Sequence, residues 1–160
     1  MTGAAAVLAA ARKAGVMIAT AESCTGGMIA AALTEIAGSS DVVDRGFVTY
    51  SNAAKVEMLG VRPDTLATHG AVSEDTAAEM AAGALVRSRA GVAVSVTGIA
   101  GPSGGSADKP VGTVWLALVH AGRPARVWRE NFGGDRHAVR AQTVRAGLMA
   151  LCEALEDRDS

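Results

Sequence analysis

The chain alternates between short apolar runs and longer segments of helix-type composition. The apolar runs are rich in β-branched side chains, which favour strands. These strand-type runs are residues 16–20, 42–50 and 92–97. The helix-type segments between and around them are residues 3–14, 28–36, 53–59 and 73–89. Strands that alternate with helices predict parallel pairing, with helices on both faces of one sheet.

Glycine and capping residues mark the ends of these predicted helices. Gly15 stands where the C′ residue of the first helix belongs. Ser51 or Asn52 can cap the helix at residues 53–59, and Ser73, followed by two acids, can cap the next one. Residues 62–64, Arg-Pro-Asp, are predicted to form a turn.

The last third of the chain has a different pattern. Residues 111–120 and 126–132 read as two strands around a short connection, which predicts an antiparallel hairpin. Asp135 can cap a final helix with an apolar stripe at i, i+4, i+7 and i+11. The stripe consists of Val144, Leu148, Leu151 and Leu155. Together the elements predict a three-layer α/β/α sandwich with a mixed, largely parallel sheet, as one domain over residues 1–160.

Composition and charge exclude several classes of protein. The formal charge of -1, from 15 basic and 16 acidic residues, gives no overall attraction to nucleic acid or to a membrane surface. The apolar runs are shorter than the roughly 18 residues that a membrane-spanning helix needs. No secretory signal is recognisable, so we expect a cytoplasmic protein. Cys24 and Cys152 lie far apart and the three histidines are scattered, so no disulfide framework, metal site or cofactor is predicted.

Lys55 is the first candidate for chemistry. It is predicted to lie in the first turns of a helix, whose positive end disfavours an ammonium and lowers the lysine pKa. A neutral lysine can act as a general base for a serine hydroxyl. Ser39 and Ser40 precede the strand that leads to Tyr50, and either hydroxyl could meet Lys55, with the Tyr50 phenol beside it. The alternative is an ordinary turn followed by a solvated lysine.

Two glycine-rich loops and two arginines suggest a site for an anion. Gly26 and Gly27 open a helix after a strand, where backbone N–H groups could bind phosphate, or they could simply allow tight packing. Residues 97–106 follow a buried strand at its carboxyl end, where open α/β sheets bind ligands. Arg136 and Arg140 lie on one face of the last helix near its positive end, and an anionic ligand would relieve their charge.

Two further hypotheses compete with a serine–lysine enzyme. Cys24 lies near a predicted helix start, where a thiol pKa is lowered, so it could be the nucleophile of an amidohydrolase instead. The glycine loops and the alanine-rich surface would also suit a nucleotide-binding or interaction module without catalytic activity.

Six motifs in one order make the chain resemble the CinA C-terminal domain family over residues 15–155. The motifs are AESCTGG (21–27), IAGSS (36–40), GFVTYSNAAK (46–55), GAVSE (70–74), TGIAGPSGGS with KPVGTV (97–114) and GDR (134–136). The resemblance implies that family's fold and a deamidase that converts nicotinamide mononucleotide to nicotinate mononucleotide and ammonia. It also implies a homodimer. Activities of the N-terminal domain that many relatives carry are not expected.

The resemblance also implies roles for individual residues. It points to Ser40 as the nucleophile, with Ser39 beside it in the same motif, to Lys55 as the base and to Tyr50 next to them. It implies a pyridine nucleotide site formed by glycine-rich segments and late arginines. These substrate-binding residues are expected to be Gly26, Gly27, Thr97, Gly98, Gly101, Gly105, Arg136 and Arg140.

Overall fold

The computed structural model describes residues 3–156 as five strands and six α-helices. The strands are β1 (Ile18–Glu22), β2 (Val43–Val48), β3 (Val92–Gly98), β4 (Thr113–His120) and β5 (Arg126–Asn131). The helices are α1 (Ala4–Ala14), α2 (Met28–Thr34), α3 (Asn52–Leu59), α4 (Pro63–His69), α5 (Glu74–Val86) and α6 (Arg136–Glu156). A short 3₁₀ helix, Ser39–Asp41, precedes β2.

The five strands form one mixed sheet in the order β2-β1-β3-β4-β5. β1 pairs in parallel with both β2 and β3, whereas β3-β4 and β4-β5 are antiparallel. The mixed sheet and the antiparallel hairpin are therefore confirmed. The strand that follows β1 in the chain, β2, lies on one side of the β1-β3 pair. The strand that follows β3, β4, lies on the other side. The carboxyl ends of β1 and β3 thus form a topological switch point, the usual place for a ligand in such sheets.

Helices cover both faces of the sheet, which confirms the three-layer architecture. On one face α1, α2 and α6 pack together over a core that includes Leu8, Ile29, Val94 and Leu151. On the other face α5 lies across β1, β3 and β4 and also contacts α3. A Cβ on Gly83 of α5 would come within 2.0 Å of the Leu59 carbonyl oxygen, so glycine permits this close approach of the two helices.

Most predicted helix ends are confirmed by the capping contacts. The Ser51 hydroxyl accepts from Ala54 N, the Ser73 hydroxyl from Thr76 N and an Asp135 carboxylate oxygen from Ala138 N. Gly15 takes the left-handed conformation after α1, with φ 69°. The turn predicted at residues 62–64 is wrong, because Pro63 begins α4: proline suits the first turn of a helix, where its missing N–H is not needed.

The first strand lies two residues later than predicted, at Ile18–Glu22. The shift places the end of the strand next to Ser23. Ser23 follows directly at the carboxyl edge, and its N–H continues the pairing by donating to Val96 O at 3.0 Å. Within residues 3–156, no helix is long and apolar enough to cross a membrane. Among the same residues, no group of three or more His, Cys, Asp or Glu is placed to hold a metal ion.

Candidate active site

A cavity of about 190 Å³ lies at the carboxyl edge of the parallel strands, at the switch point between β1 and β3. Three segments contribute most of its polar side chains. They are the turn after β1, the connection from β2 into α3 and the end of β3, with Ser23, Cys24, Tyr50, Asn52, Lys55 and Thr97. Gly98, Ala100 and Arg136 complete the wall on the side of β3 and α6.

Lys55 is buried at the bottom of this cavity, with 1% of its surface exposed. The side chain extends from the second turn of α3, which the Ser51 cap starts directly after β2. Its Nζ donates a 2.6 Å hydrogen bond to the carbonyl oxygen of Thr49. Burial lowers the Lys55 pKa below its ordinary value of 10.5, because an environment without water disfavours the ammonium. The Lys55 pKa is therefore lowered as predicted, but the cause is burial and not the helix end.

Ser23 is the hydroxyl that the fold brings to this lysine. Lys55 Nζ lies 3.1 Å from Ser23 Oγ and donates a hydrogen bond to it, between two buried side chains that are 32 residues apart in the chain. When the amine is neutral, its lone pair can instead accept the Ser23 proton. This is the geometry of an activated serine, in which nucleophile and base lie within hydrogen-bond reach.

Ser39 and Ser40 lie at the opposite edge of the sheet. Their 3₁₀ helix precedes β2, whereas Tyr50 and Lys55 follow it. The six residues of β2 are separated by five steps of roughly 3.3 Å, so the two ends of the strand lie about 16 Å apart. Ser39 is buried there and Ser40 is exposed. The predicted meeting of Ser39 or Ser40 with Lys55 is therefore not found, because a strand carries its two flanking segments to opposite edges.

Cys24 lines the cavity next to Ser23 but is unsuited to be the nucleophile. Burial raises the pKa of its thiol to about 11, and the weaker effect of its own backbone N–H does not offset this. At neutral pH the group is thus a protonated thiol, and only the thiolate is a good nucleophile. The Cys24 hypothesis depended on a lowered pKa, which the buried position reverses.

Tyr50 and Arg136 form a polar rim at the mouth of the cavity. Tyr50 is 65% exposed, and its hydroxyl accepts a 3.1 Å hydrogen bond from Arg136 Nη2. Arg136 Nη1 also donates to Gly101 O at 2.8 Å. The two side chains therefore join the first turn of α6 to the segment after β2 and to the glycine-rich loop. Tyr50 was predicted to lie beside Lys55, and it does line the same cavity, but its hydroxyl hydrogen-bonds to this arginine.

The glycine-rich turn after Ser23 does not offer the predicted phosphate cradle. Gly26 and Gly27 have φ of 58° and 102°, which allow the chain to reverse into α2. However, N–H groups in the first turn of that helix already donate hydrogen bonds to a carboxylate. Glu22, fully buried on β1, accepts from Ile29 N at 2.8 Å and from Ala30 N at 3.0 Å.

The end of β3 and the first residues of the long loop after it contribute to the site. Thr97 and Gly98 line the cavity, and Thr97 Oγ1 donates to Ala71 O at 2.8 Å. Gly101 takes part through its carbonyl, which Arg136 binds. Gly105 is exposed and does not line the cavity; a Cβ there would lie 2.7 Å from Val111 N, so its role is close packing within the loop.

Arg140 is directed at the protein instead of the cavity. Its Nε donates to Cys24 O at 3.0 Å and its Nη2 to Thr25 O at 3.3 Å. Of the two arginines predicted to bind the substrate, only one lines the cavity. Arg136 lies at the cavity, and Arg140 lies against the turn that carries Ser23, where two carbonyl dipoles offset the unfavourable helix end.

Reasoning from the sequence missed Ser23, Asn52 and Glu22. A usable signal for Ser23 was present, since the turn after β1 and the start of α3 both follow parallel neighbouring strands and must share one edge. Asn52 was considered only as a cap, but Ser51 takes that role and leaves the Asn52 side chain at the cavity. Together, the buried Lys55–Ser23 pair and the cavity above it lie at the position where α/β/α domains bind ligands.

Comparison with known proteins agrees with this architecture. Residues 2–155 match the model of the CinA C-terminal domain family. The chain is 58% identical to "Nicotinamide-nucleotide amidohydrolase PncC" of Escherichia coli (strain K12) over 137 residues, which cover 86% of this chain and 83% of that protein.

Two crystal structures have the same fold over nearly their whole length. One is a competence/damage inducible protein from Agrobacterium tumefaciens, with 54% identity, a TM-score of 0.88 and coverage of 95% of this chain and 96% of that one. The other is the competence damage-inducible protein A from Klebsiella pneumoniae, with 44% identity, a TM-score of 0.92 and coverage of 97% and 96%. The chain belongs to the CinA C-terminal domain family, and with amidohydrolases at 58% identity it is an enzyme of the hydrolase class.

Proposed function

We propose that the protein is a nicotinamide-nucleotide amidohydrolase that uses Ser23 as its nucleophile and Lys55 as its general base. The observation that carries the proposal is the 3.1 Å contact between Ser23 Oγ and the buried Lys55 Nζ. The reaction class and the substrate rest on the 58% identity to a relative named for that activity. Ser23 replaces Ser40 in the role that the resemblance had suggested.

Acylation begins with attack of Ser23 Oγ on the carboxamide carbon of nicotinamide mononucleotide. Lys55 Nζ accepts the serine proton as the C–O bond forms, and its contact with Thr49 O keeps it oriented. When the tetrahedral intermediate collapses, the lysine ammonium returns the proton to the amide nitrogen and the C–N bond breaks. Ammonia leaves, and nicotinate mononucleotide remains attached to Ser23 as an ester.

Deacylation uses the same two groups in reverse. A water molecule attacks the ester carbon while neutral Lys55 accepts one of its protons. The intermediate then expels Ser23 Oγ, which recovers its proton from Lys55, and nicotinate mononucleotide is released. Every proton is returned, so the cycle needs only water and no cofactor.

The size and polarity of the site support a mononucleotide as the substrate. The 190 Å³ cavity is below the roughly 300–1,000 Å³ of sites that enclose drug-sized ligands, so it suits the pyridine ring while the ribose phosphate lies at the mouth. Arg136 stands there with two of the five N–H donors of a guanidinium used by Tyr50 and Gly101. The others are available for a phosphate.

The direct test is an assay of ammonia release from nicotinamide mononucleotide by the purified protein. We expect ammonia and nicotinate mononucleotide in equal amounts, at a rate proportional to enzyme concentration. Calorimetric binding of the mononucleotide without ammonia release would contradict the enzymatic proposal and favour a binding module.

Replacing Arg136 with alanine is expected to raise KM for the mononucleotide by on the order of 10-fold or more, because a charge-assisted hydrogen bond contributes about 1.5–3 kcal/mol. Steady-state kinetics with nicotinamide riboside, which lacks the phosphate, give the matched control. The substitution should raise KM for the riboside much less than KM for the mononucleotide. An equal rise in KM for both substrates would contradict a phosphate-binding role.

A further inference from the structure

The turn that carries Ser23 is held from its outer side by α6. Arg140, in the second turn of that helix, donates through Nε to Cys24 O at 3.0 Å and through Nη2 to Thr25 O at 3.3 Å. These carbonyls belong to the two residues directly after Ser23. One planar side chain thus binds the carbonyl oxygens of both residues that follow the nucleophile.

The same turn is held from its inner side by Glu22. One carboxylate oxygen accepts from Thr25 Oγ1 at 2.6 Å and from Ile29 N at 2.8 Å, and the other accepts from Ala30 N. A buried charge is costly unless it is fully hydrogen-bonded, and these three donors satisfy it. Thr25 is therefore fixed through its side chain by Glu22 and through its carbonyl by Arg140.

The remaining contacts complete a rigid support for Ser23. Its own N–H donates to Val96 O of β3, and its carbonyl accepts from Gly26 N at 3.1 Å. Only its hydroxyl, directed at Lys55, takes part in the proposed chemistry. The direction of that hydroxyl depends on the backbone of the turn, and therefore on the groups that hold the turn.

We propose that Arg140 is a positioning residue for the Ser23 nucleophile, acting through the carbonyls of Cys24 and Thr25; this inference rests on the function proposed above. Arg140 does not line the cavity, and both donors on one edge of its guanidinium are engaged by the protein. Without it, the turn keeps its contacts with Glu22 and β3 and its own backbone hydrogen bonds, but the carbonyls of Cys24 and Thr25 lose their partner on the side of α6. Ser23 Oγ then moves relative to Lys55 Nζ. A displacement of roughly 1 Å at reacting atoms can cost about 10²-fold in rate.

The kinetic test compares Arg140→Ala, Arg140→Lys and Arg145→Ala. We expect Arg140→Ala to lower kcat for the mononucleotide by about 10²-fold while KM changes by less than about 3-fold, since ground-state binding is not affected. Arg140→Lys keeps the charge and N–H donors but loses the planar fork that binds both carbonyls, so its kcat should lie between those of the wild type and Arg140→Ala. Arg145, exposed on the same helix, is the control and should leave kcat unchanged. A raised KM with unchanged kcat would instead make Arg140 a substrate-binding residue and overturn the proposal.

A second readout does not depend on the natural substrate. Phenylmethanesulfonyl fluoride reacts with an activated serine: the Oγ–S bond forms, fluoride leaves and Lys55 takes the proton. Intact-mass measurement should show one label on the wild type and none on Ser23→Ala, which places the label at Ser23. Labelling of Arg140→Ala should be slowed by about the same factor as its kcat. Added methylguanidinium should partly restore the labelling rate of Arg140→Ala.

The possible failures are distinguishable. Labelling at equal rates in the wild type and in Arg140→Ala would overturn the positioning role. Labelling of wild-type Ser23 without turnover of the mononucleotide would contradict the proposed substrate only, and the labelling rates would still decide the role of Arg140. An unlabelled Ser23 in the wild type would overturn both assignments. If Arg140→Ala does not fold, Arg140→Lys carries the comparison, and labelling at the wild-type rate would overturn the proposal.

Discussion

The Ser23→Ala variant is expected to lose ammonia release by on the order of 10³- to 10⁶-fold in kcat, because removing a nucleophile leaves only the binding and electrostatic contributions to catalysis. The variant should still fold and bind the mononucleotide. Alanine fits where serine stood, and the hydroxyl contributes only its contact with Lys55. The measurement is steady-state ammonia release, with binding followed by calorimetry.

Ser40→Ala is the matched control for this experiment. Ser40 is exposed at the amino edge of β2, so its hydroxyl has no route to Lys55 without unfolding of the sheet. We expect a wild-type rate from this variant. Loss of activity in Ser40→Ala together with an active Ser23→Ala would contradict the assignment and restore the serine that the sequence motif had suggested.

The sequence predicted the architecture well, because its signals are local. The caps Ser51, Ser73 and Asp135 each act within three residues of themselves, and all three form as expected. Apolar periodicity likewise acts within one element. The buried side of α6 follows from the spacing of residues such as Leu148 and Leu151.

The nucleophile could not be identified in the same way, because it depends on which strand ends share an edge. Ser40 is closer to Lys55 in the chain, but β2 lies between them and carries them apart. Ser23 is 32 residues from Lys55, yet both follow parallel neighbouring strands and meet at one edge. The motif resemblance did not resolve this, since the AESC and GSS motifs each contain a serine.

Glu22 and Arg140 show a second limit of local reasoning. A glutamate at the end of a strand has no pattern that predicts complete burial, and its burial depends on donors from the helix that follows the turn. Arg140 reaches carbonyls more than a hundred residues away in the chain. Both partners of Arg140, and two of the three donors to Glu22, are backbone groups, which leave no trace in the identity of the residues that provide them.

Lys55→Met is expected to reduce ammonia release to about the level of Ser23→Ala. The nucleophile and its base act as one unit, so the loss of either residue removes the contribution of both. Methionine has a similar length and no charge, so the cost of burying an amine disappears while Thr49 O loses a hydrogen bond. We expect these two effects on the free energy of unfolding to offset to within about 2 kcal/mol. Denaturant unfolding monitors stability, and a large loss would show that Lys55 is structural.

The pH dependence identifies the active form of Lys55. Because burial lowers its pKa below 10.5, the neutral base forms as pH rises through that lowered value, and kcat/KM of the wild type should rise with it. Between the lowered pKa and 10.5 the unfolded chain binds one more proton than the folded one, so wild-type stability should rise with pH relative to Lys55→Met. Lys55→Arg, which stays charged, should remain inactive at every pH. A profile that falls through this range, or an active Lys55→Arg, would show that the ammonium is the working form and would exclude Lys55 as the base.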